Sequence, residues 1–185
     1  MNLIRQWDED LFIYLNSLGS HHYDAFWLFV TNQFHWVILY VLVAGLYFYY
    51  LGWKKGLTAL LLIFIFLGLC DQSTNFIKNY FLRLRPSADP ALSGRIRDLI
   101  HPHNYSFVSG HASNSTVFVW FSIFLLRKYT KYIYVLVIWW LVFMYSRIYV
   151  GVHYPLDILG GILWGLVLTF VARYLFIRIN TSGKL

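Results

Sequence analysis

The chain is poor in cysteine and in charge. It has one cysteine, Cys70, in 185 residues, and only 12% of its residues are charged. A lone cysteine excludes a disulfide framework and a cysteine-based metal site, and we predict that Cys70 is a small apolar core residue. With 59% hydrophobic residues and a mean hydropathy of +0.56, the chain is too apolar for a soluble domain. We therefore predict one membrane domain, residues 1–185.

Acidic residues are also few: eight, against 15 lysines and arginines, for a net charge of +7. The basic residues are too scattered for nucleic-acid binding, and in a membrane protein such residues usually set topology. No nucleic acid partner is expected. One arginine followed by three acids at the N-terminus does not form a cleavable signal peptide.

Long apolar runs dominate the rest of the chain and predict an all-α, polytopic membrane helix bundle. The five runs that we interpret as spans are residues 33–51, 57–76, 113–126, 132–145 and 155–177. Two short amphipathic segments, 3–18 and 23–30, precede them and are expected to lie at the membrane interface. A sixth span bent through these segments is the alternative.

This interpretation divides the chain into four parts. Residues 1–32 form interfacial N-terminal helices and residues 33–177 form the transmembrane bundle. The bundle is interrupted by an extracytoplasmic loop at 81–106, and residues 178–185 form a cytoplasmic tail.

Charge separates the two ends of the predicted bundle. The turns at 53–55 and 127–131 and the C-terminal segment with Arg173, Arg178 and Lys184 carry only positive charge. Five spans place these segments on one side, which the positive-inside rule makes cytoplasmic. Three polar clusters beside the apolar runs then face outward, and such residues in a membrane protein are candidates for function.

The first cluster is Lys78-x6-Arg85-Pro86. Pro86 disfavours helix at Arg85, so Lys78 and Arg85 can converge from a helix end and the following loop. An ammonium and a guanidinium together suit phosphate oxygens. The alternative is that these cations only snorkel to the interface, which fits Arg83 better. Asp71 is a candidate partner for one of the cations.

The second cluster, Ser109-Gly110-His111, opens the third span. The first turn of a helix directs free N–H groups and partial positive charge at an anion, and Gly110 allows close approach of a ligand. The preceding loop, residues 87–105, is a candidate lid or substrate rim. We interpret its His101 and His103 as solvated residues, with a metal-ligand role as the less favoured alternative.

The third cluster is Ser146-Arg147-x5-His153-x3-Asp157. Four-residue spacing places His153 and Asp157 on one helix face. Asp157 can then accept a hydrogen bond from one imidazole nitrogen and leave the other free to attack a phosphate. The alternative is a structural His–Asp pair at the interface, which the nearby Arg147 disfavours.

Taken in this order, the three clusters resemble the signature of the type 2 phosphatidic acid phosphatase superfamily, which includes membrane lipid phosphatases and soluble vanadium haloperoxidases. Its pattern is Lys-x6-Arg-Pro, Pro-Ser-Gly-His and Ser-Arg-x5-His-x3-Asp. The chain departs from it at one position, because Val108 stands where the family usually has proline. That difference affects loop geometry and removes no catalytic group.

The resemblance implies a phosphatase mechanism without metal or other cofactor. His153 would be the nucleophile, Asp157 would orient it, and His111 would protonate the leaving oxygen and then activate water. The groups implied to bind the phosphate are Lys78, Arg85, Ser109, Gly110 and Arg147.

The expected partners are a membrane lipid phosphate and the bilayer, and oligomeric state is open. The expected location is a bacterial inner membrane with the site facing the periplasm or exterior. Undecaprenyl pyrophosphate is the preferred substrate, with phosphatidylglycerophosphate, phosphatidic acid and lipid A phosphates as rivals. A membrane haloperoxidase and a non-enzymatic phospholipid-binding protein are the alternatives from other classes.

Overall fold

A computed structural model describes residues 3–181, and within that range the chain is helical with no strands. The all-α prediction is therefore confirmed. The predicted tail includes Lys184, which lies outside the described residues. The helices are α1 (Leu3–Ser17), α2 (Asp24–Thr31), α3 (Val37–Phe81), α4 (Gly110–Leu126), α5 (Val135–Tyr149) and α6 (Pro155–Thr181).

Helix α3 is folded back at Gly52 into two arms, 37–51 and 53–81. Gly52 has φ +74° and ψ 170°, a conformation that glycine adopts without a steric penalty. The arms then pack closely, because a side chain at Gly56 would meet Cδ1 of Phe48 at 2.8 Å and its Cα at 3.1 Å. The predicted spans 33–51 and 57–76 correspond to these arms.

Among residues 3–181, three helical stretches are long and apolar enough to cross a membrane: Gln33–Phe81, Lys131–Tyr149 and Pro155–Thr181. The first contains both arms of α3, and the 17-residue α4 lies inside the bundle. The two arms of α3 and helices α4, α5 and α6 each overlap one of the five predicted spans. The count of five crossings, like the division of the chain into four parts, stays a prediction.

Helix α4 is the centre of the bundle and packs most closely against α6. A side chain at Gly161 would lie 2.5 Å from the Ser109 carbonyl oxygen, and one at Gly165 would lie 2.6 Å from that of Ser113. Small residues four apart let two helix backbones approach in this way. The contact fixes the start of α4 against the start of α6.

The two ends of the bundle carry different residues. Tyr50 and Tyr129 stack at 5.5 Å between ring centroids, and Arg173 lies 4.5 Å over the Phe124 ring. These contacts gather the Gly52 bend, the 127–131 turn and the end of α6 at one end. The three polar clusters lie at the opposite end, where α3 and α5 finish and α4 and α6 begin.

The N-terminal helix α1 has an apolar outer face and a partly polar inner face. Trp7 and Tyr14 are 70% and 62% exposed, whereas Asp8, Phe12 and Asn16 are buried against the bundle. The predicted helices 3–18 and 23–30 correspond to α1 and α2. An exposed apolar face suits the predicted interfacial position, which stays a prediction.

Candidate active site

Lys78 lies one turn before the end of α3 and is 7% exposed. The helix stops at Leu82, which adopts a left-handed conformation (φ 50°) and donates its N–H to the Lys78 carbonyl at 3.0 Å. The side chain extends towards α4: a Cβ built on Gly110 would lie 3.9 Å from Lys78 Nζ. The first and second clusters therefore meet, as the sequence predicts.

Arg85 reaches from the loop after α3 to the third cluster. Its Nη1 donates to the Val152 carbonyl at 2.8 Å and lies 3.1 Å from His153 Nε2. The opposite side of the guanidinium donates to the backbone and side-chain oxygens of Asn104 at 2.8 and 2.7 Å. Asn104, which the sequence analysis did not identify, thus fixes the orientation of Arg85.

The second cluster forms the N-terminal turn of α4. Ser109 is the N-cap, and its hydroxyl accepts the Ala112 N–H at 3.4 Å while its own N–H donates to the Asp157 carbonyl at 2.9 Å. His111 stacks on Phe143 with ring centroids 5.7 Å apart. The Ser109 hydroxyl therefore caps the helix, and its contribution to phosphate binding stays a prediction.

Arg147 lies in the last turn of α5 and is buried, at 6% exposure. Its Nη1 donates to the hydroxyl of Thr31, the last residue of α2. Its Nε has no hydrogen-bond partner among residues 3–181. Thr31 is a further residue that the sequence analysis missed.

His153 and Asp157 face each other, with His153 Nδ1 3.5 Å from Asp157 Oδ2. This separation is long for a hydrogen bond, and Nδ1 has no other partner within the described chain. Arginine can only donate, so Arg85 requires His153 Nε2 to accept and leaves the imidazole proton on Nδ1. The imidazole proton therefore lies on the side of Asp157, while Arg85 occupies the nitrogen that the sequence predicts to be free.

Positive charge surrounds the buried imidazole. Burial and then the charges of Arg85, Arg147 and Lys78 hold the pKa of His153 well below its usual range. Burial also lowers the pKa of Arg85 to about 10. A neutral histidine beside several cations is suited to meet a phosphate, because the anion compensates the cations and the imidazole keeps its lone pair.

The prediction that Arg83 is a snorkelling cation is wrong. Its guanidinium donates to Asp157 Oδ1 at 2.8 Å and to Asp8 Oδ2 at 2.6 Å, and it lies 4.0 Å over the Tyr154 ring. Asp8 also accepts the Leu156 N–H at 2.8 Å. We call Asp8, Arg83 and Asp157 the carboxylate cluster.

The remaining candidates lie away from this centre. His101 and His103 are exposed in the loop before α4, which agrees with their interpretation as solvated residues. Asp71 is exposed on α3 and interacts with Lys78 only electrostatically. Within residues 3–181, no group of three His, Cys, Asp or Glu side chains is placed to hold a metal ion.

A cavity of about 580 Å³ adjoins His111, between the arms of α3 and helices α4 and α5. Its walls are mainly apolar and include Leu67, Phe118 and Phe143, with Asn114 as a polar neighbour of His111. The volume falls within the range of small-molecule pockets. Any group that binds beside His111 can therefore extend an apolar chain into the bundle.

Known proteins with related sequences include phosphatases of lipid A and of undecaprenyl diphosphate. Lipid A 4'-phosphatase of Porphyromonas gingivalis is 31% identical over 99% of this chain and 79% of its own. Undecaprenyl-diphosphatase of Sulfolobus acidocaldarius is 34% identical, but over 45% of this chain and 38% of its own.

The fold comparison agrees with the sequence comparison. The crystal structure of a transmembrane PAP2-type phosphatidylglycerolphosphate phosphatase from Bacillus subtilis matches with a TM-score of 0.73 and 25% identity, over 97% of this chain and 89% of that one. Residues 56–180 match the sequence model of the PAP2 superfamily. This chain belongs to the PAP2 superfamily.

Proposed function

We propose that this membrane lipid phosphatase hydrolyses the phosphate ester of an acylated lipid of the lipid A type, through a phosphohistidine on His153. The observation that carries the proposal is the arrangement of His153, with Nε2 3.1 Å from Arg85 and Nδ1 facing Asp157. A neutral imidazole with one nitrogen turned towards a carboxylate and the other towards a cation can act as a nucleophile on a phosphate.

In the first step, Arg85 moves its hydrogen bond from Nε2 to a phosphoryl oxygen. The freed Nε2 lone pair attacks phosphorus, and the bond between phosphorus and the ester oxygen breaks. His111 donates a proton to that oxygen, so the lipid leaves as an alcohol. Asp157 stabilises the positive charge that forms on His153. The cations Lys78, Arg85 and Arg147 balance the charge on the phosphoryl oxygens.

In the second step, water attacks the phosphohistidine and His111 takes a proton from the water. The bond between phosphorus and Nε2 breaks, and inorganic phosphate leaves with His153 neutral again. Both steps use side chains from the three clusters, together with the Gly110 N–H predicted to lie near the phosphate.

One observation favours an acylated lipid phosphate over a prenyl pyrophosphate. The lipid A 4'-phosphatase relative aligns over nearly the whole chain, whereas the undecaprenyl-diphosphatase relative aligns over less than half. The apolar cavity beside His111 suits a leaving group that carries hydrocarbon chains, whether acyl or prenyl. Undecaprenyl pyrophosphate, preferred from the sequence alone, is now a competing substrate.

A phosphatidylglycerophosphate is the second candidate, because the similar B. subtilis structure is a phosphatidylglycerolphosphate phosphatase. A phosphate-release panel in detergent distinguishes the candidates, with lipid A, phosphatidylglycerophosphate, phosphatidic acid and undecaprenyl pyrophosphate at equal concentrations. We expect the highest kcat/KM on lipid A. A higher value on the prenyl pyrophosphate would overturn the substrate assignment.

The mechanism is also tested by inhibitors. EDTA should leave turnover unchanged, because the cationic side chains do the work of a metal. Vanadate should inhibit, because it mimics the five-coordinate phosphoryl group in the same pocket. Strong EDTA inhibition, or insensitivity to vanadate, would contradict the proposed site. Halide oxidation by the vanadate-loaded protein with added hydrogen peroxide as oxidant would instead support the haloperoxidase alternative.

We also propose that the site faces the periplasm or cell exterior, on the basis of the positive charge at the other end of the bundle. A reporter fused after Leu185 should then read as cytoplasmic, and one inserted at Gly94 in the loop as external. The reverse pattern would contradict this orientation.

A further inference from the structure

Arg83 connects two carboxylates that come from distant parts of the chain. Asp8 lies in α1 and Asp157 in the first turn of α6, and the two are 1% and 0% exposed in their side chains. Each carboxylate accepts from a different guanidinium nitrogen of Arg83, Asp8 at 2.6 Å and Asp157 at 2.8 Å. A planar guanidinium can bridge two acceptors in this way, whereas a lysine ammonium lacks the fixed fork.

The same cluster also fixes the backbone that carries Asp157. Asp8 Oδ1 accepts the Leu156 N–H at 2.8 Å, and Asp157 Oδ2 accepts the Tyr154 N–H at 2.9 Å. The Tyr154 ring lies beneath the Arg83 guanidinium. These contacts hold the segment between His153 and Asp157 from both sides.

A second arginine at the same end of the bundle provides a comparison. Arg97 pairs with Asp24 and lies 5.6 Å over the Tyr149 ring, and its side chain is 17% exposed against 22% for Arg83. Its carboxylate partner has no contact with His153. The two arginines therefore share their chemistry and differ in whether they contact Asp157.

We propose that Arg83 is a positioning residue that holds the Asp157 carboxylate towards His153 Nδ1, and that Asp8 of α1 in turn holds Arg83. This inference rests on the proposed role of His153 as nucleophile. It makes α1 a structural part of the catalytic centre in addition to its predicted place at the interface.

The central test compares Arg83→Met with Arg97→Met, using the best substrate of the phosphate-release panel. We expect Arg83→Met to lower kcat by about 10- to 100-fold, because small displacements of a catalytic group cost this much, and to leave KM nearly unchanged. Arg97→Met should leave kcat close to wild type. Guanidinium added to an Arg83→Gly variant should restore part of kcat.

Because Arg83→Met leaves two carboxylates buried together, it could prevent folding. Arg83→Lys keeps the charge without the bridge and should show a smaller loss of kcat at normal melting temperature. Asp8→Asn should lower kcat in the wild-type background and have little further effect in Arg83→Lys, because Asp8 acts through Arg83.

Equal effects of Arg83→Met and Arg97→Met on kcat would overturn the proposal, as would a rise in KM alone. Additive effects of Asp8→Asn and Arg83→Lys would overturn the role of Asp8. A separate variant distinguishes failure of the proposed function from failure of the Arg83 proposal. Full turnover by His153→Ala would exclude His153 as nucleophile, whatever the Arg83 variants show.

Discussion

The carboxylate cluster and the cations Lys78 and Arg147 lie at the same end of the bundle but differ in their pairing. Arg83 has a carboxylate on each side, and both carboxylates also accept backbone N–H groups. Lys78 makes no hydrogen bond through its ammonium within residues 3–181, and Arg147 has one side-chain partner and an unpaired Nε. Buried cations are rarely left in this state.

The difference in pairing indicates that the carboxylate cluster and the unpaired cations have different roles in the proposed site. Groups whose hydrogen bonds are complete hold a geometry, because moving them leaves buried charges unpaired. Buried cations with spare donors are suited to bind an anion, because a phosphate supplies the missing acceptors. His153 lies at the boundary, with Asp157 on one side and Arg85 on the other.

The largest expected effect is at this boundary. His153→Ala should lower kcat by at least about 1,000-fold, because loss of a nucleophile removes the covalent step. Phosphate release from the best substrate measures it, at matched protein level. Retention of turnover would show that His153 is not the nucleophile.

The next largest effect should follow removal of an unpaired cation. Lys78→Met should lower kcat/KM by about 100- to 1,000-fold, as for other groups that stabilise developing charge, while the melting temperature stays equal or rises because a buried charge is removed. Lys54→Met, in the basic turn at the opposite end, is the matched control. A large fall in stability would place Lys78 with the structural groups instead.

A smaller effect is expected on the pH dependence of stability. The pKa of His153 is lowered by burial and then by Arg85 and Arg147, so the unfolded chain binds its proton more readily than the folded chain. The stability contributed by neutral His153 is present above pH about 6.5 and is lost as pH falls towards the folded pKa. The melting temperature in detergent should fall from pH 7 to pH 5 by more in the wild type than in His153→Gln, and equal falls would contradict this.

The smallest effect should come from changing Thr31, whose hydroxyl accepts a hydrogen bond from Arg147. Thr31→Val removes the hydroxyl that accepts from Arg147 Nη1 and preserves side-chain shape. We expect a several-fold rise in KM with little change in kcat, because Arg147 keeps its charge but loses its orientation. Initial rates over a range of lipid phosphate concentrations provide the check, and Thr58→Val at the other end of the bundle is the control.

The sequence predicts much of this molecule because local chemistry determines it. Apolar runs predict the helices. Pro86 predicts that the helix ends before Arg85, and Gly110 predicts a helix start that a ligand can approach closely. The four-residue spacing of His153 and Asp157 predicts that they share one helix face. Convergence of the clusters follows from helix order alone. The order of the helices is therefore enough to assign five side chains to one site: Lys78, Arg85, His111, Arg147 and His153.

The sequence did not reveal the hydrogen-bond partners that lie far from the three clusters along the chain. Asp8 and Thr31 lie in segments without a signature, and their contacts with Arg83 and Arg147 depend on how α1 and α2 dock. One signal was present: Asp8, Phe12 and Asn16 recur every four residues opposite the apolar face of α1. Polar residues such as Asp8 and Asn16 on the inner side of a predicted interfacial helix indicate that the helix docks on the bundle.

The docking of the two N-terminal helices has a consequence for the length of the functional unit. The superfamily match begins at residue 56, and the three clusters lie between residues 78 and 157, yet two arginines at their centre are anchored by residues 8 and 31. A fragment that starts at residue 33 would keep all three clusters and lose both anchors. The shortest fragment that keeps both anchors of this site therefore begins with α1, well before the first motif.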